Sequence, residues 1–229
     1  MILSDRDFKK RLVTVKEIGL KADFLERLAR QDIPRKLDKA LDSGKIIIEP
    51  MPPPEAFDAD TVDLQFGNII EVVDTMLEVV SINGRRVIRR LTKDYRNKSV
   101  NRLEHTRKVM TEDESRMKFF IGDDETIEIQ PDMLILVHTH NLVCIPYDLQ
   151  MEMGGRSRVA RDGLTSHVSS PVFHAGWCGY PVMEIKNNSR LSFNAYPGFP
   201  FSSICFRQLS SKAEVPYLKK HGAQFSGQR

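Results

Sequence analysis

The residues best suited to chemistry lie in one stretch, residues 154–186. It begins with a Gly-Gly pair, and the polar residues that follow are Arg156, Ser157, Arg158 and Arg161. Backbone amides of glycine and guanidinium groups are the donors that a polyphosphate needs. The start of the stretch therefore predicts a phosphate-binding turn, and a surface loop with solvated charges is the alternative.

An acidic residue interrupts apolar sequence near the other end of this stretch. Glu184 stands among Val182, Met183 and Ile185, a pattern typical of a buried strand. Burying a carboxylate costs stability unless the group is paired or used in chemistry. Glu184 is therefore the candidate general acid or base. The alternative is a strand carboxylate that is merely exposed or salt-bridged.

Short strands separated by turns surround the stretch and must position it. Asn83-Gly84 is a strong hairpin signal between two of them. The strand-like runs are residues 45–50, 62–66, 69–73, 77–82, 126–129, 133–138, 141–145, 191–195 and 203–206. Many short strands at close intervals predict a mainly β barrel or sandwich.

Two segments depart from this β pattern. Residues 13–44 carry apolar side chains at helical spacing, with Pro34 as a break and Gly44 as a stop, and predict an inserted pair of helices. A packing element, a lid or a partner site would each fit. Residues 85–118 hold twelve Lys/Arg against five Asp/Glu and predict a solvated, partly helical excursion. A nucleic-acid surface is the alternative, but interleaved aromatic residues are missing.

The composition is that of an ordinary globular protein, with 41% hydrophobic and 28% charged residues and a net charge of +3. A chain of 229 residues predicts one domain, residues 1–229. Cys144, Cys178 and Cys205 lie in apolar, strand-like sequence and predict reduced thiols in a cytoplasmic protein. No secretory signal or membrane span is expected, because charged residues come first and no apolar run is long enough.

The motifs of the central stretch resemble the signature of the dCTP deaminases, a family of the dUTPase-like superfamily. The motifs that carry the resemblance are Gly155-Arg156-Ser157-Arg158-Val159-Ala160-Arg161, Gly163-Leu164, His167-Val168, Ala175-Gly176-Trp177, Gly179 and Glu184. Further landmarks are Met1 to Asp7, Val62-Asp63-Leu64 with Gly67-Asn68, Tyr196-Pro197-Gly198, Pro216-Tyr217 and Gln228. Each motif is weak alone, and together they are specific.

The resemblance implies a distorted jelly-roll-like β-barrel of the dUTPase-like type, assembled as a homotrimer with active sites at subunit boundaries. It also implies conversion of dCTP, or of a modified deoxycytidine nucleotide, to dUTP or its analogue plus ammonia. Mg²⁺ is expected only on the nucleotide triphosphate. Zinc is not expected, because the sequence lacks the H-x-E and P-C-x-x-C elements of zinc deaminases. His138 and His140 have no partner at metal-ligand spacing, and we interpret them as structural.

The resemblance also gives roles to single residues. Glu184 shuttles the proton, Ser157 orients the attacking water, and Arg161 steadies the pyrimidine. Val168 and Ser170 read the amine and the water through backbone carbonyls, and Arg156 binds phosphate. The remaining positions expected to contact substrate are Arg158, Ala160, His174, Val182, Tyr217, Gln224 and Gln228.

Four positions differ from the family pattern. His174 stands where an aspartate accepts a hydrogen bond from the sugar hydroxyl, and Gln224 stands where a lysine contacts phosphate. Ser170 replaces an alanine, and Arg158 replaces a smaller residue. His174 leaves the sugar preference open and argues against phosphate cleavage. Two alternatives remain: a dUTPase or bifunctional deaminase and diphosphatase, and a non-catalytic nucleotide-sensing module.

Overall fold

The structure, a computed structural model, describes residues 1–72, 77–82, 85–90, 117–221 and 223. Its helices are α1 (Asp5–Lys9), α2 (Phe24–Ala29), α3 (Arg35–Asp42) and α4 (Ser157–Arg161), with short 3₁₀ helices at Pro54–Ala56 and Tyr217–Lys219. Its strands are β1 (Leu12–Val13), β2 (Ile46–Glu49), β3 (Val62–Val72), β4 (Leu77–Ile82), β5 (Arg85–Arg90), β6 (Met117–Phe120), β7 (Ile127–Ile129), β8 (Leu134–Thr139), β9 (Leu142–Cys144), β10 (Leu149–Gly155), β11 (Leu164–Thr165), β12 (Val172–Phe173), β13 (Cys178–Gly179), β14 (Val182–Asn187), β15 (Phe193–Ala195) and β16 (Pro200–Gln208). The mainly β prediction is confirmed.

The strands of the described residues form three sheets. The main sheet runs in the order β11-β14-β8-β3-β16-β10-β12, with β6 also paired to β3. The two smaller sheets have the orders β1-β2-β9-β13 and β15-β7-β5-β4. Buried side chains from all three sheets meet in one apolar core. Neighbouring strands in the main sheet are distant in sequence, so the chain crosses between sheets repeatedly, as it does in jelly-roll folds.

Strand β3 is continuous from Val62–Val72, where the sequence predicted two separate strands. It pairs with β16 near its start and with β8 and β6 further on, and its register with β8 shifts between Phe66 and Ile70. Gly67 lies at this shift, where a Cβ atom would stand 2.2 Å from the carbonyl oxygen of His138. The glycine therefore marks a close approach of two backbones, not the end of a strand.

The segment predicted to contain inserted helices holds α2 and α3. Pro34 is the N-cap residue of α3, and Gly44 follows its end with a φ of +80°, which favours glycine. Apolar side chains of both helices pack in a second cluster with Ile47, Tyr147 and Leu218. The helices therefore cover the sheet that contains β2 and β9. Among the described residues, no helix has the length and apolar character needed to cross a membrane.

The basic segment 85–118 differs from its prediction at both ends. Arg85–Arg90 forms β5, which pairs with β4 and β7. Met117–Phe120 forms β6, which pairs with β3. Charge counting missed these strands because pairing with distant strands, and not composition, fixes them. Residues 91–116 and the predicted turn Asn83-Gly84 lie outside the described residues.

The prediction that all three cysteines are reduced is wrong for two of them. Cys144 on β9 pairs with Cys178 on β13, with Cα atoms 4.0 Å apart, and the two form a disulfide. The register of β9 and β13 creates this pair, and a separation of 34 residues gives no sign of it in the sequence. Cys205 is free, and burial raises the pKa of its thiol. The cysteines therefore no longer support a cytoplasmic location.

The guanidinium of Arg11 ties four parts of the chain together. It donates to both carboxylate oxygens of Asp148 at 2.5 and 2.7 Å, to the carbonyl oxygen of Gly44 at 2.6 Å, and to Oε1 of Gln208 at 3.2 Å. The side chains of Arg11 and Asp148 are each 21% exposed. The amino-terminal segment, the end of α3, the start of β10 and the end of β16 are therefore joined by one charged group.

We expect Arg11→Ala to lower the free energy of unfolding by about 2–4 kcal/mol, because it leaves the largely buried Asp148 carboxylate without its partner. Urea unfolding at fixed protein concentration measures the change.

Lys10→Ala is the matched control. Lys10 is the neighbouring cation, and it forms an exposed pair with Asp7 at 3.9 Å. Its loss is expected to change stability by about 0.5 kcal/mol or less. Equal effects of the two substitutions would show that the Arg11 network does not stabilise the fold.

Candidate active site

Glu184 lies in the middle of β14, between β8 and β11. Met183 and Ile185 are fully buried, whereas Glu184 is partly buried on the opposite face of the strand. Its Oε2 atom accepts hydrogen bonds from the backbone N–H groups of Val168 at 2.8 Å and Ser169 at 3.2 Å. Within the described residues, no Lys or Arg forms an ion pair with it and Oε1 has no partner. The loop after β11 therefore fixes one oxygen of an acid that has no salt bridge there.

The Gly-Gly pair ends β10, and α4 follows directly. Arg156 is the N-cap residue of α4, and Val159 is its buried anchor. The residues that α4 exposes are Ser157, Arg158, Ala160 and Arg161. Gly163, with a φ of +86°, then turns the chain into β11, which pairs with the end of β14. The glycine pair, predicted to form a phosphate-binding turn, is thus the paired end of β10, and one short connection joins it to the strand of Glu184.

Arg156, which was predicted to bind phosphate, is already engaged within the chain. Its Nη2 atom lies 2.9 Å from Oδ2 of Asp63, and its Nη1 atom donates to the carbonyl oxygen of Pro200 at 3.2 Å. The other oxygen of Asp63 accepts from the Ser203 hydroxyl at 2.6 Å. These contacts hold the glycine pair at the end of β10 against β3 and β16. The phosphate-binding role of Arg156 stays a prediction.

Ser166 lies between the glycine pair and Glu184. No pattern in the sequence had indicated this residue. Its carbonyl oxygen accepts from the Glu184 backbone N–H at 3.1 Å, and its hydroxyl lies 3.4 Å from where a Cβ on Gly155 would be. The residue is 1% exposed, and its hydroxyl has no hydrogen-bond partner in the described part of the chain. Buried hydroxyls in proteins normally have a partner. Ser166 is therefore a buried polar group between the glycine pair and Glu184.

The sheet face that carries Glu184 also carries a histidine–carboxylate pair. Glu184 lies opposite Leu136 of β8, and Leu136 lies opposite Glu71 of β3, so the three side chains share a face. Glu71 Oε1 lies 3.1 Å from His138 Nε2. This hydrogen bond outweighs burial and lowers the pKa of Glu71. His138 is thus paired with Glu71 within the sheet, while His140 is exposed. Among the described residues, no group of His, Cys, Asp or Glu forms a metal site.

A cavity of about 290 Å³ lies beside His174 and Tyr217. Their rings are stacked, with centroids 6.1 Å apart and planes at 20°. The backbone N–H of Tyr217 donates to the carbonyl oxygen of Ala175 at 2.8 Å. The other residues that line the cavity are Gln150, Ala175, Leu209, Ala213, Val215 and Lys220. The size and the aromatic edge suit a small ligand.

Comparison with known proteins identifies the family of this chain. The sequence profile of the dCTP deaminase-like family matches residues 34–209. The chain belongs to this family. The dCTP deaminase of Photorhabdus laumondii is 30% identical to this chain over 196 residues, which are 85% of this chain and 92% of that protein. The dCTP deaminase of Thermomicrobium roseum is 37% identical over 109 residues, which are 48% of this chain and 55% of that protein.

A solved structure shares the fold of this dCTP deaminase-like chain. The 2'-deoxycytidine 5'-triphosphate deaminase from Agrobacterium tumefaciens matches with a TM-score of 0.50 and 13% identity, over 90% of this chain and 47% of that longer chain. At this identity the likeness concerns the fold alone. The family resemblance identified in the sequence is confirmed by the family match.

Some predicted site residues of this dCTP deaminase-like chain lie together. Val168 contacts Glu184 through its backbone N–H, and exposed Ser170 follows in the same loop. Val182 lies on the same sheet face as Glu184, opposite His138.

Other predicted residues are not joined to Glu184. Among the described residues, neither Ser157 nor Arg161 forms a hydrogen bond with its carboxylate. Gln224 and Gln228 lie outside the described residues. The roles assigned to the site residues therefore stay predictions.

Gly176 lies close to Pro216 and Tyr217. Its φ is +82°, and a Cβ there would stand 2.7 Å from Pro216 Cβ and 3.0 Å from Tyr217 N. We expect Gly176→Ala to destabilise the fold by more than the roughly 1–2 kcal/mol of a left-handed alanine. The backbone N–H of Tyr217 should also exchange its hydrogen faster, because its hydrogen bond to the Ala175 carbonyl is weakened.

Gly198→Ala is the control, because Gly198 has a φ of +86° and no atom within 4 Å of the added Cβ. Gly198→Ala therefore measures the free-energy cost of a left-handed alanine backbone without any steric clash. Identical losses of stability in thermal unfolding, with unchanged exchange at Tyr217, would mean that the packing of Gly176 does not support Tyr217.

Proposed function

We propose that this protein is a homotrimeric nucleotide deaminase that converts dCTP, or a base-modified deoxycytidine nucleotide, to the uracil nucleotide plus ammonia. The family match and the relatives named dCTP deaminase support the substrate class. The reaction adds water to the ring carbon that bears the amine, and ammonia leaves.

One observation carries the proposal: two backbone amides hold a single oxygen of Glu184. A carboxylate fixed in this way keeps a constant position while its other oxygen exchanges a proton. Glu184 is partly buried, and it belongs to a strand whose neighbours anchor it in the core. These are the requirements of a residue that works first as a base and then as an acid.

In the proposed mechanism, Glu184 removes a proton from the attacking water as the oxygen bonds to the ring carbon. Ser157 orients that water, and Arg161 steadies the pyrimidine and its developing charge. Glu184 gives this proton to the ring nitrogen, then takes the proton of the new hydroxyl group and delivers it to the amine, so that the carbonyl forms as the carbon–nitrogen bond breaks and ammonia leaves. One water is consumed and one ammonia is released. The absence of zinc-deaminase elements from the sequence supports a water addition without a protein-bound metal.

A trimer would bring together groups that one chain leaves apart. Ser157 and Arg161 are exposed on α4. If α4 of one subunit faces β14 of the next, these side chains reach the Glu184 carboxylate at the boundary between subunits. This arrangement keeps the predicted roles of all three residues.

The remaining predicted contacts belong to the nucleotide. We propose that Arg156 and Arg158 approach the triphosphate, which carries Mg²⁺ as part of the substrate. His174 and Tyr217 border the cavity of about 290 Å³ and would contact the sugar and base. Gln224 and Gln228 would complete the site. The cysteines no longer support the cytoplasmic location predicted from the sequence. The proposed deoxynucleotide substrate still supports it.

A substrate panel tests the proposal directly. The purified protein is incubated with Mg²⁺ and dCTP, CTP, dCMP, base-modified dCTPs or dUTP, and ammonia and pyrophosphate are measured separately. We expect ammonia without pyrophosphate from one deoxycytidine triphosphate. Pyrophosphate release would instead support a dUTPase or bifunctional enzyme. Binding without any turnover would support a nucleotide sensor.

We expect Glu184→Gln to lower kcat for deamination by about 10²- to 10⁴-fold, because glutamine cannot carry the proton. The amide oxygen can still accept from Val168 and Ser169, so the Kd for dCTP in calorimetry should change little.

Glu152→Gln is the matched control, since this strand carboxylate pairs with Arg207 at 2.6 Å and has no proposed role. It should retain wild-type kcat. A Glu184→Gln enzyme with wild-type turnover would remove Glu184 from the mechanism.

A further inference from the structure

Helix α3 contacts the segment that carries Tyr217. Leu37 and Leu41 of this helix are fully buried, and they share an apolar cluster with Tyr147 and with Leu218, the residue after Tyr217. The helix begins at Arg35, and the matched family profile begins at residue 34. The helix predicted as an insertion is thus packed against one edge of the candidate site.

Asp38 of α3 makes the polar part of this contact. Its Oδ1 atom accepts a short hydrogen bond from the hydroxyl of Tyr147 and another from Nζ of Lys219 at 2.8 Å. The Lys219 ammonium also lies 4.9 Å from the centre of the Tyr147 ring. The Asp38 carboxylate therefore joins α3 to Tyr147, just before β10, and to the 3₁₀ helix that carries Tyr217.

The charges in this cluster support one another. Burial opposes ionisation of Asp38, but the hydrogen bonds from Lys219 and Tyr147 outweigh it and lower the pKa of the carboxyl group. Burial, with the Asp38 carboxylate beside it, raises the pKa of Tyr147 above its usual range. The contact is therefore a charge-assisted one between an ionised acid, a protonated phenol and an ammonium group.

The consequence falls on Tyr217, two residues before Lys219. Its ring stacks on His174 at the edge of the cavity, and its N–H bonds to Ala175. The backbone N–H of Ala213 donates to the carbonyl oxygen of Tyr147 at 2.8 Å, so Tyr147 also holds the start of this segment. Both ends of the segment 213–219 are thus tied to Tyr147 or to its partner Asp38.

We propose that Asp38 and Tyr147 are positioning residues that hold Tyr217 in place for nucleotide binding. Helix α3 thereby sets the affinity of the site without touching the substrate. The inference rests on the proposed function for its activity readout, while its structural readout is independent of that function.

The chain supplies a matched control for this proposal on the same helix. Asp42, one turn after Asp38, forms an ion pair with Lys212 at 3.0 Å. Both pairs join α3 to the carboxy-terminal part of the chain, although the Asp42 side chain is exposed and that of Asp38 is only partly so. Only the pair of Asp38 includes a residue of the 3₁₀ helix that carries Tyr217.

The experiment compares Asp38→Asn and Asp42→Asn in the full-length protein. Hydrogen–deuterium exchange is followed in peptides that cover residues 213–220, and KM and kcat are measured with dCTP. We expect Asp38→Asn to speed exchange in this segment and to raise KM by about threefold to tenfold, with kcat within about twofold of wild type. Asp42→Asn should leave the exchange of the segment and both kinetic constants unchanged.

Two further variants make the result specific. Lys219→Met removes the ammonium group but keeps the apolar part of the side chain. It should therefore give the same faster exchange and higher KM as Asp38→Asn, and it tests the contact independently if Asp38→Asn folds poorly. Asp38→Glu restores a carboxylate and should recover a large part of the wild-type exchange and KM.

The outcomes separate the two proposals. If Asp38→Asn and Asp42→Asn give the same exchange in residues 213–220, the positioning role is overturned, whatever the activity. If the wild-type protein deaminates none of the nucleotides, the proposed function fails. Exchange still decides the contact of Asp38 with the Tyr217 segment, and its proposed role in nucleotide binding is overturned as well if the protein also fails to bind dCTP.

Discussion

The register of β14 on β8, and of β8 on β3, is the constraint on which the candidate site depends. Met183 and Ile185 lie opposite Val137 and Ile135, and these residues are fully buried in the core. A shift of one residue would bury Glu184 and expose Ile185, which the apolar core opposes. The burial of hydrophobic side chains on one face therefore fixes which residues the other face presents. Chemistry on the outer face is set by packing on the inner face.

Backbone contacts then bring the two ends of the central stretch to this face. The chain leaves β10 at the glycine pair, forms α4, and returns through β11 to pair with the end of β14. Ser166 lies between the two ends: its carbonyl oxygen accepts from the Glu184 N–H, and its hydroxyl occupies the side of Gly155 where a Cβ would stand. Asp63 holds the turn from the other side through Arg156. The site is thus supported by strands β3, β10, β11 and β14 before any ligand binds.

Sequence reasoning succeeded where the signal was local. The alternation around Glu184 and the helical spacing in α2 and α3 each depend on neighbours within a few residues, whereas the glycine pair predicted as a turn is the paired end of β10. It failed where a distant strand decided the outcome. Gly67 looked like a break because the approaching His138 carbonyl is invisible in the sequence, and the Cys144–Cys178 disulfide follows from strand register. The strand at Arg85–Arg90 was hidden by its charge.

The sequence by itself determined the family, the mainly β class and the candidate catalytic acid, because these follow from short motifs and from local alternation of apolar residues. Only the tertiary structure decided what surrounds them: that Arg156 faces Asp63, that Ser166 is buried without a partner among the described residues, and that Asp38 reaches Lys219. These contacts join residues far apart in the chain, such as Asp38 and Tyr147, which are separated by 109 positions. No local pattern records such a pair, since the burial of the shared core brings its members together.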